Sequence, residues 1–208
     1  DVGAVERGLE NMEKHLENIA QFKLQPVVAI NRFPSDTQEE MAAISRRCEA
    51  LGVRVVISEV WAKGGAGAED LARAVVDAVE SSTESFQPLY DWSAKVEDKI
   101  HTIATRIYGA DGVDYSSTAR RDLRRIANLG LEGLPVCIAK TQKSLSDNPA
   151  LLGRPTGFTL TVREIEIAAG AGFLVPITGD MMRMPGLPAT PAAEAIDIDE
   201  EGNISGLF

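Results

Sequence analysis

The stretch Val53–Gly67, VRVVISEVWAKGGAG, decides the reading of the fold. Its first half, VRVVISEV, is a β-branched apolar run that reads as a strand over 53–60, buried in an α/β sheet. Trp61 follows, then Gly64, Gly65 and Gly67, and a helical pattern opens near Glu69 and runs to about residue 81. Strand, aromatic, flexible loop and helix start together describe a pocket at the carboxyl end of a strand in an open α/β sheet. Upstream, PVVAINRF repeats the plan. It reads as a strand over 26–33 with Phe33 at its end, ahead of Pro34 and a helix with N-cap candidates Ser35, Asp36 and Thr37. Two parallel strands that each end in an aromatic leave room for a flat ring between them.

Outward from this centre, Val5, Leu9, Met12, Leu16 and Ile19 recur at helical spacing and predict an amphipathic helix over 4–22. Met41, Ile44, Cys48 and Leu51 mark a second helix face, with Gly52 as its stop. The order β-α-β-α predicts a right-handed parallel crossover. A polar stretch from Ser81 to Pro88 suggests either a boundary between residues 1–84, which carry the two aromatics, and residues 85–208, or a loop within one single domain over 1–208. Beyond it, Val96, Ile100, Ile103 and Ile107 predict a helix ended by a Gly109–Gly112 turn. Leu123, Ile126 and Leu129 predict another helix, and Leu134–Ala139 a third buried strand. GFTLTVREIEIAAGAGFLVPITG reads as two or three strands around Gly170–Gly172, and a proline-rich arm with short extended pieces closes the chain.

With 208 residues, 44% hydrophobic and 25% charged, the composition is that of a soluble globular protein. The formal charge of −10 argues against a general nucleic-acid or anionic-membrane surface. No apolar run approaches the roughly 18 residues of a membrane span. Cys48 and Cys137 sit on separate elements, so they read as buried free thiols and point to a reducing, cytoplasmic setting. The chain opens on Asp1 and enters a helical pattern at once, which reads as a piece of a longer protein.

Each chemical candidate has a plain structural reading beside it. Trp61 is either a cap on the core or a stacking platform, and Phe33 on the neighbouring strand favours the platform because a pocket needs two walls. The Gly64–Gly67 cluster is a tight turn or a backbone cradle for an anion. It matches neither G-x-x-x-x-G-K-[ST] nor G-x-G-x-x-G. The loop over 140–157, with Lys140, Thr141, Gln142, Lys143, Ser144, Ser146 and Asp147, is a solvated loop or a site for phosphate or a partner domain. Arg120, Arg121, Arg124 and Arg125 read as a solvated helix face or subunit contact, and His15 and His101 as surface or satisfied histidines. Asp197, Asp199, Glu200 and Glu201 lack the spacing of a calcium loop. The residues alone give an α/β domain with a flat-ligand pocket and no reaction.

The runs VVAINRFPSDT, SEVWAKGGAGAEDLA, IYGADGV, LPVCIAKTQKSLSDNP, GAGFLVPITGD and MPGLPATPAAEAIDID, followed by G-x-I-x-GLF, resemble formate–tetrahydrofolate ligase in its C-terminal portion, in order and along essentially the whole chain. The resemblance implies a Rossmann-like, mostly parallel sheet flanked by helices, with an irregular, strand-containing C-terminal arm. It implies ATP, Mg and tetrahydrofolate as reaction partners, with the ATP site and the catalytic residues upstream of this chain, in the N-terminal part of the same enzyme. It also implies a homotetramer when intact and, in some members, a monovalent cation. Phe33 and Trp61 match the two aromatics that sandwich the pterin ring, with Pro34 and Ile57 as neighbouring wall residues; no metal ligand is placed on this chain. The alternatives are a ligand-binding or tetramer-scaffold fragment without catalysis, and an unrelated α/β enzyme that uses the 140–157 loop.

Overall fold

The computed structural model describes residues 1–179 and 190–206. Residues 180–189, which hold the start of the proline-rich arm, lie outside the described residues, as do Leu207 and Phe208. The class is α/β, with helices flanking parallel and mixed sheets and short strands at the C-terminal end. The strands fall into separate sheets rather than one continuous one.

Helix α1 (Val2–Ala20) packs on α2 (Gln38–Ala50). The start of α2 is fixed by a capping box: Glu40 N–H donates to the Thr37 hydroxyl, and Thr37 N–H donates back to the Glu40 carboxylate at 2.9 Å. Strand β1 (Val27–Asn31) lies parallel to β2 (Arg54–Ser58), with Ile30 opposite Ile57 and Asn31 opposite Ser58. Both strands are shorter than their apolar runs. Glu59 N–H leaves the ladder to donate to Gly67 O at 3.0 Å, and Val60–Lys63 winds into a single helical turn, α3. A 3₁₀ turn, Gly64–Ala68, leads into α4 (Glu69–Ser81), which packs across β1 and β2 with Ala74 fully buried.

Gly67 makes this turn possible. A Cβ there would stand 2.4 Å from Glu59 O and 2.9 Å from Val60 N, inside any real contact distance. Gly67→Ala is therefore expected to cost about 1–3 kcal/mol of stability through a forced backbone shift. Gly65, which has open space at its Cβ, should accept alanine with a change within about 0.5 kcal/mol. Urea unfolding of the two variants side by side checks this, and equal midpoints would refute the close-packing account.

Helix α5 (Val96–Thr102) continues as a π-helical turn, Ile103–Tyr108, and stops at Gly109 in the left-handed region (φ 80°). The short strand β3 (Gly112–Tyr115) pairs in parallel with β4 (Thr159–Ala168), and β4 pairs antiparallel with β5 (Phe173–Thr178). Helix α6 (Ser117–Asn128) covers β3 and β4. Val96, Ile100, Ala119, Ile126, Val162, Ile165 and Leu174 form the core beneath it. Two short strands, β6 (Asp197–Ile198) and β7 (Ile204–Ser205), make a hairpin near the end of the chain.

Several expectations need correction here. Leu134–Ala139 is a half-buried extended piece that touches β5 in parallel at two bridges, Val136 to Leu174 and Ala139 to Ile177. Pro135 has no N–H to give a regular ladder. Cys48 is buried as expected, but Cys137 is exposed. The expected turn over 109–112 ends in β3, a strand of four residues whose pairing lies some 47 residues away on β4, beyond the reach of local pattern.

Candidate functional site

Register builds this surface. Because β1 and β2 run parallel with Asn31 opposite Ser58, the residues leaving the two strands emerge side by side at their carboxyl ends. Phe33 and Trp61 thereby meet, with ring centroids 6.0 Å apart and planes inclined at 50°. Both are open to solvent, at 42% and 65% of their full exposure, and Ile57 (42%) and Val60 (44%) extend the apolar surface. Neither aromatic is a core cap. Pro34 is exposed in a turn held by Asp36: Phe33 N–H donates to Asp36 Oδ2 at 2.8 Å, and Asp36 N–H returns to Phe33 O at 3.1 Å. Phe33, Pro34, Ile57 and Trp61 are thus all exposed residues of β2 and of the segments that follow the two strands.

A charged bridge joins the two segments that carry the pair. Glu59 accepts from Arg32 Nη1 at 3.0 Å on one carboxylate oxygen and from Lys63 Nζ at 2.5 Å on the other. The hydrogen bond from Lys63, followed by the charges of Lys63 and Arg32, holds the Glu59 carboxyl below its ordinary range. Sequence reading passed over this bridge because Arg32 and Glu59 lie 27 residues apart and become neighbours only through the strand register.

Polar groups of the 140–157 loop bond to the loop itself and to its neighbours. Lys140 Nζ donates to the carbonyls of Thr141 and Ser144 and stands 5.2 Å from the centre of the Tyr108 ring. Burial lowers the Lys140 pKa. Ser144 and Ser146 are buried and share a hydroxyl contact at 2.9 Å, and Asp147 Oδ2 accepts from Thr161 N–H at 2.9 Å. The arginines at 120, 121, 124 and 125 lie on α6, with Arg120 over the Tyr115 ring, and His15 and His101 are exposed. Asp199 caps the β6–β7 turn by accepting from Asn203. Among the described residues no group of three or more His, Cys, Asp and Glu gathers as a metal site, and no helix is long and apolar enough to cross a membrane.

A pocket of about 370 Å³ elsewhere on the molecule was not anticipated. It is lined by Phe22, Phe86, Trp92, Ile107, Tyr108 and Cys137, and Phe22 stacks on Phe86 with centroids 5.7 Å apart. Its members come from four separate stretches of chain, so no local motif announces it.

Fold and surface place the chain among α/β proteins whose helices flank parallel and mixed sheets. More narrowly, it belongs to the formate–tetrahydrofolate ligase family, whose family model matches residues 1–208, the full length of the chain. The family is one of ligases, and its reaction implies tetrahydrofolate and ATP as substrates.

Proposed function

We propose that this chain is the C-terminal, tetrahydrofolate-binding part of an ATP-dependent formate–tetrahydrofolate ligase, which makes 10-formyltetrahydrofolate, ADP and phosphate. The observation that carries the reading is the exposed Phe33–Trp61 pair at the ends of two register-matched parallel strands. In the whole enzyme formate takes the terminal phosphoryl group of ATP to give formyl phosphate. The N10 lone pair then attacks the formyl carbon, the C–N bond forms, the C–O bond to phosphate breaks, and N10 releases its proton. The role of Phe33 and Trp61 is to hold the pterin by its two faces, with Pro34 and Ile57 beside them, so that N10 points at the formyl carbon. Fixing that geometry turns a bimolecular step into a positioned one.

We assign phosphate activation to the N-terminal part of the enzyme, as the family resemblance implies. Val75, Val76 and Val79 leave an apolar stripe on α4 open to solvent. That stripe supports contact with the N-terminal part of the enzyme or with other subunits of a cytoplasmic homotetramer. Residues 1–84 supply the folate wall, and residues 85–208 carry the 140–157 loop.

Calorimetric titration of the folded chain with tetrahydrofolate tests the reading, with MgATP plus formate as the companion experiment. Saturable folate binding without ADP release is expected. A folded chain that ignores tetrahydrofolate would sink the folate wall, and ADP release would overturn the division of labour.

A further inference from the structure

The two aromatic walls stand too close to hold a ring as they are. At 6.0 Å and 50° each ring covers part of the other. A flat ring stacked on both needs two contact separations of about 3.5 Å, so about 7 Å between nearly parallel walls. One wall must move.

The backbone that carries the Phe33 wall is tied by its reciprocal bonds with Asp36. Trp61 rides instead on a single helical turn that ends at Gly64, in the left-handed region (φ 58°). The base of this segment is pinned where Glu59 N–H meets Gly67 O, a position with no room for a Cβ. Between the pins, Glu59 links both sides: its carboxylate holds Lys63, two residues beyond Trp61, and Arg32, the residue before Phe33.

We propose that Glu59 is the positioning residue of this site: by holding Lys63 and Arg32 it sets the spacing of the Trp61 and Phe33 walls, and residues 60–66 swing about the Glu59–Gly67 base to admit a flat heteroaromatic ring and close on it. The inference rests on the tetrahydrofolate reading and adds the residue that governs closure. Glu59 acts through the two cations rather than by touching the ligand.

The test uses a Trp92→Phe background, in which Trp61 is the remaining tryptophan of the chain's two. Glu59→Gln is expected to raise acrylamide quenching of Trp61 in the free protein and to weaken tetrahydrofolate binding about 3- to 10-fold, chiefly through faster dissociation. Lys63→Met should reproduce the loss, and the double variant should add little to either single one. A general structural defect would instead shift the unfolding midpoint and leave the two substitutions additive. Parent-like quenching and dissociation in Glu59→Gln overturn the proposal. If Trp61→Ala also leaves binding untouched, the tetrahydrofolate reading falls first and takes this one with it. Loss in Trp61→Ala with no change in Glu59→Gln removes the Glu59 assignment alone. Should Glu59→Gln fail to fold, Lys63→Met, at an exposed position, carries the same measurement.

Discussion

Trp61→Ala is expected to weaken tetrahydrofolate binding by about 10- to 100-fold while the protein stays folded. The loss combines the apolar area of the indole with a stacking contribution of about 0.5–1.5 kcal/mol beyond it. At about 1.4 kcal/mol per tenfold change, that places the effect between one and two decades. Stability should barely move, because Trp61 is largely exposed and its removal opens no cavity; surface changes of this kind stay within about 0.5 kcal/mol. Trp61→Phe keeps a ring face and should recover most of the affinity, and Phe33→Ala should show a smaller loss than Trp61→Ala. Because the substitution removes a fluorophore, calorimetry is the suitable readout. An affinity within twofold of the parent would mean that the indole stacks on nothing but Phe33.

The largest effect on stability is expected at Lys99, a fully buried lysine. Its ammonium donates to the carbonyls of Glu132 and Leu134 at 2.8 and 3.0 Å and lies 5.9 Å from the centre of the Tyr90 ring. Tyr90 in turn accepts from Val136 N–H at 3.1 Å. Helix α5 is thereby tied to the chain entering the half-buried piece at 134–139. Burial lowers the Lys99 pKa, since the charged form is the one that loses hydration on leaving water. Lys99→Ala strands two carbonyls and opens a cavity, so a loss of about 3–5 kcal/mol is expected. Lys99→Met fills the space without the buried charge and should lose roughly half as much. Urea unfolding decides it, and an alanine variant within about 0.5 kcal/mol of the parent would show that the bonds contribute nothing net.

These two residues show the reach of local pattern and its limit. Trp61 was legible because a strand-like run, an aromatic and glycines are neighbours in sequence. Lys99 was not, because a lysine on an amphipathic helix gives no sign of which carbonyls will meet it. Strand ends shifted for a similar reason. VRVVISEV is largely apolar and β-branched, yet β2 stops at Ser58 because Glu59 finds Gly67 across the turn.

What the sequence alone determined is what short-range chemistry controls. The helix over 69–81, the start of α2 beside the cap candidates Ser35, Asp36 and Thr37, and a helix stop at the Gly109–Gly112 turn all follow from local signals. The order of these elements set the α/β class, and the ordered motif runs pointed to the family that the family model matches. Tertiary structure decided the rest. It split the strands into separate sheets, made β3 from four residues, turned Cys137 outward, and joined Arg32 and Lys63 through Glu59. Each of these depends on residues far apart in the chain, whose partners are chosen by register and packing and leave no mark on local periodicity.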